Sequence, residues 1–274
     1  MNEVELHHGA ATDVGRVREV NEDAYLAAPP VFVVADGMGG HEGGDVASAI
    51  AVEEFGRLAA EGYDPRRGTD AVDATIDAAQ RRLLEYAEEQ ARHGVERRRS
   101  AGTTVVAALL VEGDDGPAWL LANLGDSRIY RFTGGVLDQV STDHSLVQEL
   151  LDAGQITPEQ VATHPERAVI TRALGDAVGV RADYFVVPLA DAERLLLCSD
   201  GVSGMLDDDA IAAVLAEAPD PRDAADRLVA AAVAAGGEDN ATAVVVDVVG
   251  LRPGDGYDAE QQRATLEQKL GGSG

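Results

Sequence analysis

The chain is poor in cysteine and in positive charge. Cys198 is the single cysteine among 274 residues, so no disulfide can form within the chain, which favours a reducing compartment. The 22 lysine and arginine residues are outnumbered by 49 aspartate and glutamate residues, and the formal net charge is −27. Nucleic-acid-binding proteins usually present a basic face, so this composition argues against nucleic acid as a partner.

Long hydrophobic runs are also missing. No segment approaches the about 20 apolar residues that a membrane-spanning helix needs, so we expect no membrane insertion. The N-terminal residues MNEVELHHGAATD contain neither a basic start nor an apolar stretch, which disfavours a secretory signal. Together with the cysteine usage, this predicts a cytoplasmic protein. Hydrophobic residues still make up 45% of the chain, enough for a substantial core.

The pattern of apolar residues predicts an α+β fold in which hairpins dominate. Apolar runs predict a buried strand ending at Asp36 and further strands over 103–111, 118–123, 128–132, 184–187, 194–198 and 242–248. Helical spacing predicts helices over 45–60, 69–92, 145–153, 158–163, 209–216 and 221–235, with Thr69 as the N-cap of the second. Residues 251–274 are a polar tail with a short helical candidate over 259–270, and the final GGSG resembles a linker.

Acidic residues placed at predicted strand ends are the strongest functional signal. Asp36 follows the apolar run in VFVVADGMGG, Asp200 follows LLLC, and Asp239 precedes ATAVVV. A lone Asp-Gly after a strand is most often a turn. Three such acids instead indicate an oxygen-lined site, and oxygen ligands favour hard cations such as Mg²⁺ or Mn²⁺.

Two chemistries that a cysteine or a glycine-rich stretch can indicate are excluded by the spacing of the residues. A cysteine-dependent phosphatase needs an arginine six positions after its cysteine, and here Gly204 stands six positions after Cys198, which we interpret as a buried strand residue. The glycine-rich stretch 37–44 lacks the Gly-Lys-Ser/Thr ending of a P-loop.

Eight motifs in order resemble the metal-dependent serine/threonine phosphatases of the protein phosphatase 2C type, in their bacterial form. They are DVGRVREVNEDAY (13–25), ADGMGGHEGGDVAS (35–48), AGTTVV (101–106), NLGDSRIY (123–130), STDHS (141–145), AVITRALG (168–175), LCSDGV (197–202) and EDNATAVVV (238–246). The resemblance implies a four-layer α-β-β-α sandwich of two mostly antiparallel sheets flanked by helices. It also implies a catalytic domain over residues 1–250, with a flap segment at about 145–167 that shapes substrate specificity.

The resemblance further implies a role for each matched residue. Asp36 would bridge two Mn²⁺ or Mg²⁺ ions, Asp200 and Asp239 would hold the first ion, and the carbonyl of Gly37 would bind the second. Glu22 would approach the second ion through water, and Asp126 would join Asp200 at a third, weaker position. Arg18 would bind the substrate phosphate.

Other residues near the motifs have a plainer interpretation. We expect Asn240 to bond the backbone beside the site, Asp23 to be a loop cap or a support of the site, and His144 and His164 to be structural. His41 is more often a surface residue than a catalytic one. Many members of the family carry a histidine where this chain has Met38, which leaves the group that protonates the leaving oxygen unassigned.

The chemistry predicted is hydrolysis of phosphoserine and phosphothreonine in proteins. Two ions about 3.5–4 Å apart activate a shared water, which attacks phosphorus directly, so no phosphoenzyme forms. The expected partners are phosphorylated proteins, including those modified by a bacterial serine/threonine kinase. Two alternatives stay open at this level: a pseudophosphatase that only docks a partner, and a sporulation-type regulator phosphatase. The complete acid set counts against the first, and the absence of visible sensor domains counts against the second.

Overall fold

The fold is described from a computed structural model that covers residues 4–39, 43–92, 101–114, 116–161, 163–176 and 180–249. Two antiparallel β-sheets lie at its centre. The strands of the first sheet are β2 (Asp23–Ala28), β3 (Val31–Met38), β4 (Gly102–Thr103), β5 (Val105–Gly113), β6 (Gly116–Leu124) and β9 (Asp183–Pro188). They run in the order β2-β3-β5-β6-β9, and the two-residue strand β4 also pairs with β3.

The strands of the second sheet are β1 (Glu5–Asp13), β7 (Arg128–Thr133), β8 (Val136–Gln139), β10 (Arg194–Cys198) and β11 (Ala241–Val249). In the described part of the chain they run in the order β1-β11-β10-β7-β8, again with antiparallel neighbours. The central strands of both sheets are buried on both faces, which explains why their sequences are continuous apolar runs rather than alternating ones.

Helices cover the outer face of each sheet. Helices α1 (Gly44–Glu61) and α2 (Gly68–Arg92) pack on the first sheet, and α6 (Asp208–Glu217) and α7 (Pro221–Ala235) pack on the second. Three short helices lie in the connections: α3 (Leu146–Asp152), α4 (Pro158–Val161) and α5 (Asp200–Ser203). None of the helices within the described ranges combines the length and the apolarity that crossing a membrane requires.

The hydrophobic core has three layers, one in each gap between the four layers of structure. Phe55 and Leu83 lie between the first pair of helices and their sheet. Phe32 and Trp119 lie between the two sheets, with ring centroids 6.0 Å apart in an edge-to-face arrangement. Leu228 lies between the second sheet and its helices. The predicted four-layer α-β-β-α sandwich is therefore confirmed.

Most of the predicted elements are confirmed, with shifts of a residue or two at their ends. Strand β1 was not predicted, because ELHHGAATD is a half-buried edge strand without an apolar run. The prediction that Thr69 caps α2 was wrong. A 3₁₀ turn over Pro65–Arg67, capped by the side chain of Asp64, leads directly into the helix, so Thr69 lies inside it.

The helical candidate over 259–270 and the rest of the polar tail from residue 251 onward lie outside the described residues. The domain boundary at residue 250 stays a prediction, because the described part of the chain ends at residue 249.

Candidate active site

The acidic residues singled out in the sequence meet at one end of the β-sandwich. Asp36 lies near the end of β3, Asp200 follows β10 as the first residue of α5, and Asp239 lies two residues before β11. Strands β10 and β11 are hydrogen-bonded neighbours, so Asp200 and Asp239 come from adjacent strand ends. Asp36 reaches them from the other sheet, and these three aspartates are the centre of what we call the acid cluster.

The backbone of Asp36 is fixed by two threonines. Its N–H donates to Thr104 Oγ1 at 3.0 Å, and its carbonyl accepts from the N–H of Thr104 and from Thr103 Oγ1, both at 2.9 Å. The side chain therefore leaves a rigid strand end. The nearby carboxyl group of Asp200 is among the groups that raise the pKa of the Asp36 carboxyl, after burial and the charge of Asp23.

A glycine brings Asp200 close to the start of β11. A Cβ atom at Gly201 would overlap the carbonyl oxygen of Asn240, so only glycine permits this approach. The Oδ1 atom of Asp200 is buried and has no hydrogen-bond partner in the described part of the chain. A buried carboxylate oxygen without a partner is costly unless a proton or a cation satisfies it.

Asp239 is paired with Arg18 across the site entrance. Arg18 Nη2 donates to Asp239 Oδ2 at 2.6 Å, and the side chains are 49% and 34% exposed. Burial lowers the pKa of Arg18, but the hydrogen bond to Asp239 and the charges of Asp239, Glu22 and Asp36 raise it overall. The guanidinium thus lies at the edge of the acid cluster, where a phosphate could reach it.

Asn240 holds the loop that carries Arg18. Its Nδ2 donates to the carbonyls of Val14 and Val20 at 3.0 Å each, and its Oδ1 accepts from the N–H of Glu22 at 2.8 Å. The prediction that Asn240 bonds the backbone is confirmed. These bonds fix both ends of residues 14–22 against the start of β11.

Gly37 and Glu22 lie on the α1 side of the cluster. The N–H of Gly37 donates to the carbonyl of Glu22 at 3.2 Å, and a Cβ atom at Gly37 would overlap the carbonyl oxygens of Gly44 and Glu22. The carboxyl of Glu22 packs against Gly44 at the N-terminus of α1, within 2.6 Å of where a Cβ would stand. The structure therefore brings the backbone of Gly37 and the side chain of Glu22 to the same place.

Asp126 follows β6 and is 8% exposed. Its Oδ1 atom is buried and lacks a hydrogen-bond partner among the described residues. Burial, followed by the charge of Asp200, raises the pKa of Asp126 to about 7. Asp126 thus joins the same electrostatic cluster as Asp200.

Asp23 belongs to the cluster more closely than the sequence indicated. It stands opposite Asp36 in the β2-β3 pairing, and its Oδ2 accepts from Ser199 Oγ at 2.7 Å. Burial raises its pKa to about 7, although bonds from Thr242 and Ser199 act in the opposite direction. Its place opposite Asp36 depends on the hairpin register, which the sequence motif alone does not give.

The clustered carboxyl groups oppose one another's ionisation, and a positive charge among them would relieve this repulsion. Burial raises the pKa of Asp36 well above its usual range, and the charges of Asp23, Asp200 and Asp126 raise it further. Burial, followed by the charge of Asp239, raises the pKa of Asp200. Burial and mutual repulsion of acids are the conditions under which divalent cations bind carboxylates.

No group of three or more His, Cys, Asp or Glu side chains within the described ranges is already arranged to hold an ion. Asp239 is bonded to Arg18, so one of the acids is already paired with a cationic side chain. The donor set nevertheless fits a hard cation, because it consists of oxygen atoms. Asp23, Asp126 and Asp200 each contribute a buried oxygen without a partner in these ranges. The roles assigned to the individual residues stay predictions.

The remaining sequence candidates lie at the margin of the site or away from it. Cys198 is fully buried in β10, and burial raises its pKa to about 12, so the interpretation as a buried strand residue is confirmed. His144 is 3% exposed and hydrogen-bonded on both ring nitrogens, whereas the ring of His164 accepts a local bond from the N–H of Glu166. His41 lies outside the described residues.

Comparison with known proteins points to one family. The family model described as protein phosphatase 2C matches residues 15–234. The chain is 36% identical over 256 residues to the serine/threonine phosphatase stp of Listeria innocua, which covers 88% of this chain and 96% of that protein. It is similar to the crystal structure of Stp1, a serine/threonine phosphatase from Staphylococcus aureus. The TM-score is 0.81 and the identity 34%, with 90% of this chain and 96% of that one covered.

A further solved structure contains metal. It is the catalytic domain of the serine/threonine protein phosphatase PstP in complex with two manganese ions. The TM-score is 0.77 and the identity 34%, and the match covers 90% of this chain and all of that one.

Proposed function

The chain belongs to the protein phosphatase 2C family of serine/threonine protein phosphatases, and we propose that it hydrolyses phosphoserine and phosphothreonine in proteins without forming a phosphoenzyme. The observation that carries this proposal is the meeting of Asp36, Asp200, Asp239 and Arg18 at one end of the sandwich, although they are remote in sequence. Dependence on Mn²⁺ or Mg²⁺ follows from the family and from the manganese ions in PstP.

The residues that would hold the ions are those of the acid cluster. Asp36 would contact both ions, and its place near the end of β3 with its electrostatic interaction with Asp200 supports this assignment. Asp200 and Asp239 would hold one ion, and the carbonyl of Gly37 would hold the other with Glu22 close by. Asp126 and Asp200 would form a third, weaker position. The unpartnered buried oxygens of Asp126 and Asp200 support this assignment within the described residues.

When bound, the cations supply a water that is nucleophilic at neutral pH and positive charge for the phosphate oxygens. The protein holds the carboxylates at rigid strand ends, so the donors need little reorganisation. The two hydrogen bonds between Asp36 and Thr104 and the contact of Gly201 with Asn240 maintain that arrangement. Ionisation of these acids would accompany cation binding, because a carboxyl group must be deprotonated to serve as a ligand.

Arg18 would bind and orient the phosphate group. A guanidinium has five N–H donors in a planar fork, and the bond to Asp239 is made through Nη2. Donors that remain can engage phosphate oxygens while Asp239 keeps the fork in place. Asp239 would therefore serve both as a ligand and as the residue that aims Arg18.

We further propose that the substrates are proteins phosphorylated by a bacterial serine/threonine kinase, whose action this phosphatase reverses. The support is the relatives' names as serine/threonine phosphatases, including PstP of Mycobacterium tuberculosis. The single cysteine, Cys198, supports a reducing cytoplasmic setting.

The test is hydrolysis of para-nitrophenyl phosphate and of a phosphothreonine peptide, with and without Mn²⁺, by the wild type and by Asp200→Asn. The change removes a charge without removing bulk. We expect turnover to require metal and to fall at least ~100-fold in the variant, as when a preorganised electrostatic group is lost.

The control is Asp226→Asn, the same change at an exposed position of α7, which should keep wild-type activity. Near-normal turnover by Asp200→Asn would exclude the proposed site. No turnover by the wild type with Mn²⁺ would favour a binding module that keeps the fold without the reaction.

A further inference from the structure

His144 makes hydrogen bonds with one neighbouring residue through both its side chain and its backbone. The N–H of Gly125 donates to His144 Nδ1 at 3.1 Å, and the N–H of His144 donates to the carbonyl of Gly125 at 2.9 Å. The residue is 3% exposed, so neither bond competes with bulk water. His144 and Gly125 are therefore held together as a rigid pair.

Gly125 immediately precedes Asp126, and its conformation restricts what else can hold that loop. Its φ of +115° lies in the region that favours glycine, and a Cβ there would come within 2.6 Å of Thr104. On the other side of Asp126, Ser127 Oγ bonds to Thr104 Oγ1 at 2.7 Å. The Oδ1 atom of Asp126 itself has no partner within the described ranges. The backbone of residues 125–127, which His144 holds on one side, thus sets the position of the Asp126 carboxyl.

The same histidine ties together the two ends of the flap segment. The N–H of Thr171 donates to the carbonyl of His144, and the N–H of Leu146 donates to the carbonyl of Val169, each at 2.8 Å. Ser145 and Ile170 form an isolated antiparallel bridge between those bonds. The chain enters and leaves the flap segment side by side, directly at His144.

The far side of the imidazole is held by a carboxylate. His144 Nε2 lies 3.2 Å from Asp183 Oδ2, and Asp183 Oδ1 accepts from Arg172 at 2.9 Å. Because Nδ1 accepts the N–H of Gly125, the ring proton is on Nε2, where it can be donated to Asp183. Burial lowers the pKa of His144, which favours this neutral form. Asp183 therefore selects the tautomer that can hold Gly125.

We infer that His144 is a positioning residue for Asp126. Its Nδ1 acceptor, held in the correct tautomer by Asp183, connects the Asp126 loop to the ends of the flap segment. This connection sets the cation affinity of the weaker, third position. The inference rests on the proposed function, because it requires Asp126 to be a cation ligand. It adds that the flap segment and the third position are joined through one side chain. Outer partners of this kind typically change metal affinity by about 10–100-fold.

Two substitutions separate the hydrogen bond made by Nδ1 from the one made by Nε2. His144→Asn places an oxygen near the position of Nδ1 and loses the reach to Asp183, whereas His144→Gln reaches toward Asp183 and loses the acceptor for Gly125. We expect His144→Gln to weaken Mn²⁺ binding at the third position ~10–100-fold, and His144→Asn to bind close to the wild type. The measurement is calorimetric titration of the metal-free protein with MnCl₂, with Asp126→Asn marking the third position.

Asp183→Ala is a second variant on a side chain at the surface, for use if either histidine variant fails to fold. It removes the partner that keeps the proton on Nε2, so it should also weaken the third position, while Asp183→Asn keeps an acceptor and should not. Circular dichroism and thermal melting confirm folding of each variant before titration.

Equal Mn²⁺ binding by His144→Gln and His144→Asn, with Asp126→Asn alone defective, would overturn the inference and leave the proposed function standing. Wild-type titration by Asp126→Asn would overturn the inference by removing Asp126 from the ligands. No Mn²⁺ binding by the wild type would overturn the proposed function itself.

Discussion

Arg18 shows how a single residue can serve the site in two ways. It lies beside three acids, and its 2.6 Å bond to Asp239 keeps an exposed, flexible side chain at the cluster. An exposed ion pair contributes little to stability, so we attribute the value of this pair to placement of the guanidinium. Removing Arg18 should then affect substrate engagement more than folding.

For Arg18→Ala we expect the specificity constant kcat/KM to fall roughly 5–150-fold, which corresponds to a loss of about 1–3 kcal/mol of transition-state stabilisation. Thermal stability should change little. The kcat/KM of Arg18→Lys should lie between that of the wild type and that of Arg18→Ala, because an ammonium group keeps the charge and lacks the planar fork. Steady-state kinetics on a phosphothreonine peptide provide the measurement. Arg227→Ala removes a distant arginine, paired with Asp223 on α7, and is the control. An unchanged kcat/KM for Arg18→Ala would remove Arg18 from the site.

Among the elements, the loop over residues 14–22 depends on the residue that precedes β11. Asn240 donates to two of its carbonyls and accepts one of its N–H groups, and the residue is 5% exposed. Buried backbone carbonyls that lose their donors cost free energy. The loop that carries Arg18 and Glu22 should therefore lose its place when the amide of Asn240 is lost.

The near-isosteric change Asn240→Asp replaces the donating amide nitrogen with an oxygen. We expect the free energy of unfolding to fall by about 1–3 kcal/mol and kcat/KM to fall as Arg18 becomes misplaced. Chemical denaturation and kinetics on the same preparation provide the two values. Wild-type stability with wild-type kinetics would show that the loop is held by other contacts.

At the scale of the whole molecule, the sandwich keeps a cluster of acids in a protein that already has a net charge of −27. The folded-state pKa values of Asp23 and Asp126 are raised to about 7, above the ordinary value of 3.8. Without metal, the folded state therefore binds more protons than the unfolded state from about pH 4 to 7. The stability that these groups contribute is present at low pH and is lost as pH rises through about 7.

A divalent cation binds the ionised acids, so it should restore more stability at high pH than at low pH. We expect the increase in Tm caused by Mn²⁺ to be at least about 3 °C larger at pH 8 than at pH 6, the effect of about 1 kcal/mol or more. His8 and His144 have pKa values lowered chiefly by burial. Their titration affects Tm both with and without metal, so its contribution cancels when the increases in Tm are compared. Calorimetric scans in fixed salt test this, with Asp36→Asn as the control. An increase that is equal at both pH values would contradict the electrostatic account of the cluster.

The sequence predicted those elements whose burial leaves a pattern in the chain. The strand that ends at Asp36 and the strand after Asp239 are buried on both faces, and their apolar runs are unambiguous. Strand β1 is a half-buried edge strand, ELHHGAATD, and its pattern is too weak to identify. The N-terminus of α2 was misplaced because the preceding 3₁₀ turn takes over the capping role.

For the site, the ordered motifs indicated which acids to consider, and the family resemblance indicated that they would meet. Spacing alone could not bring Asp36 to Asp200, because that proximity depends on how the two sheets pack. Likewise, the place of Asp23 depends on the β2-β3 register, and the bond of His144 to Gly125 depends on a contact between two loops. Such long-range contacts leave no local pattern in the chain.

The most direct test of the central claim is a crystal structure of the wild-type protein grown with Mn²⁺, with anomalous scattering recorded at the manganese edge. We predict two strong anomalous peaks bounded by the carboxylates of Asp36, Asp200 and Asp239, with Arg18 at the rim. Peaks elsewhere, or none beside these carboxylates in a preparation that hydrolyses phosphopeptides with Mn²⁺, would contradict the claim.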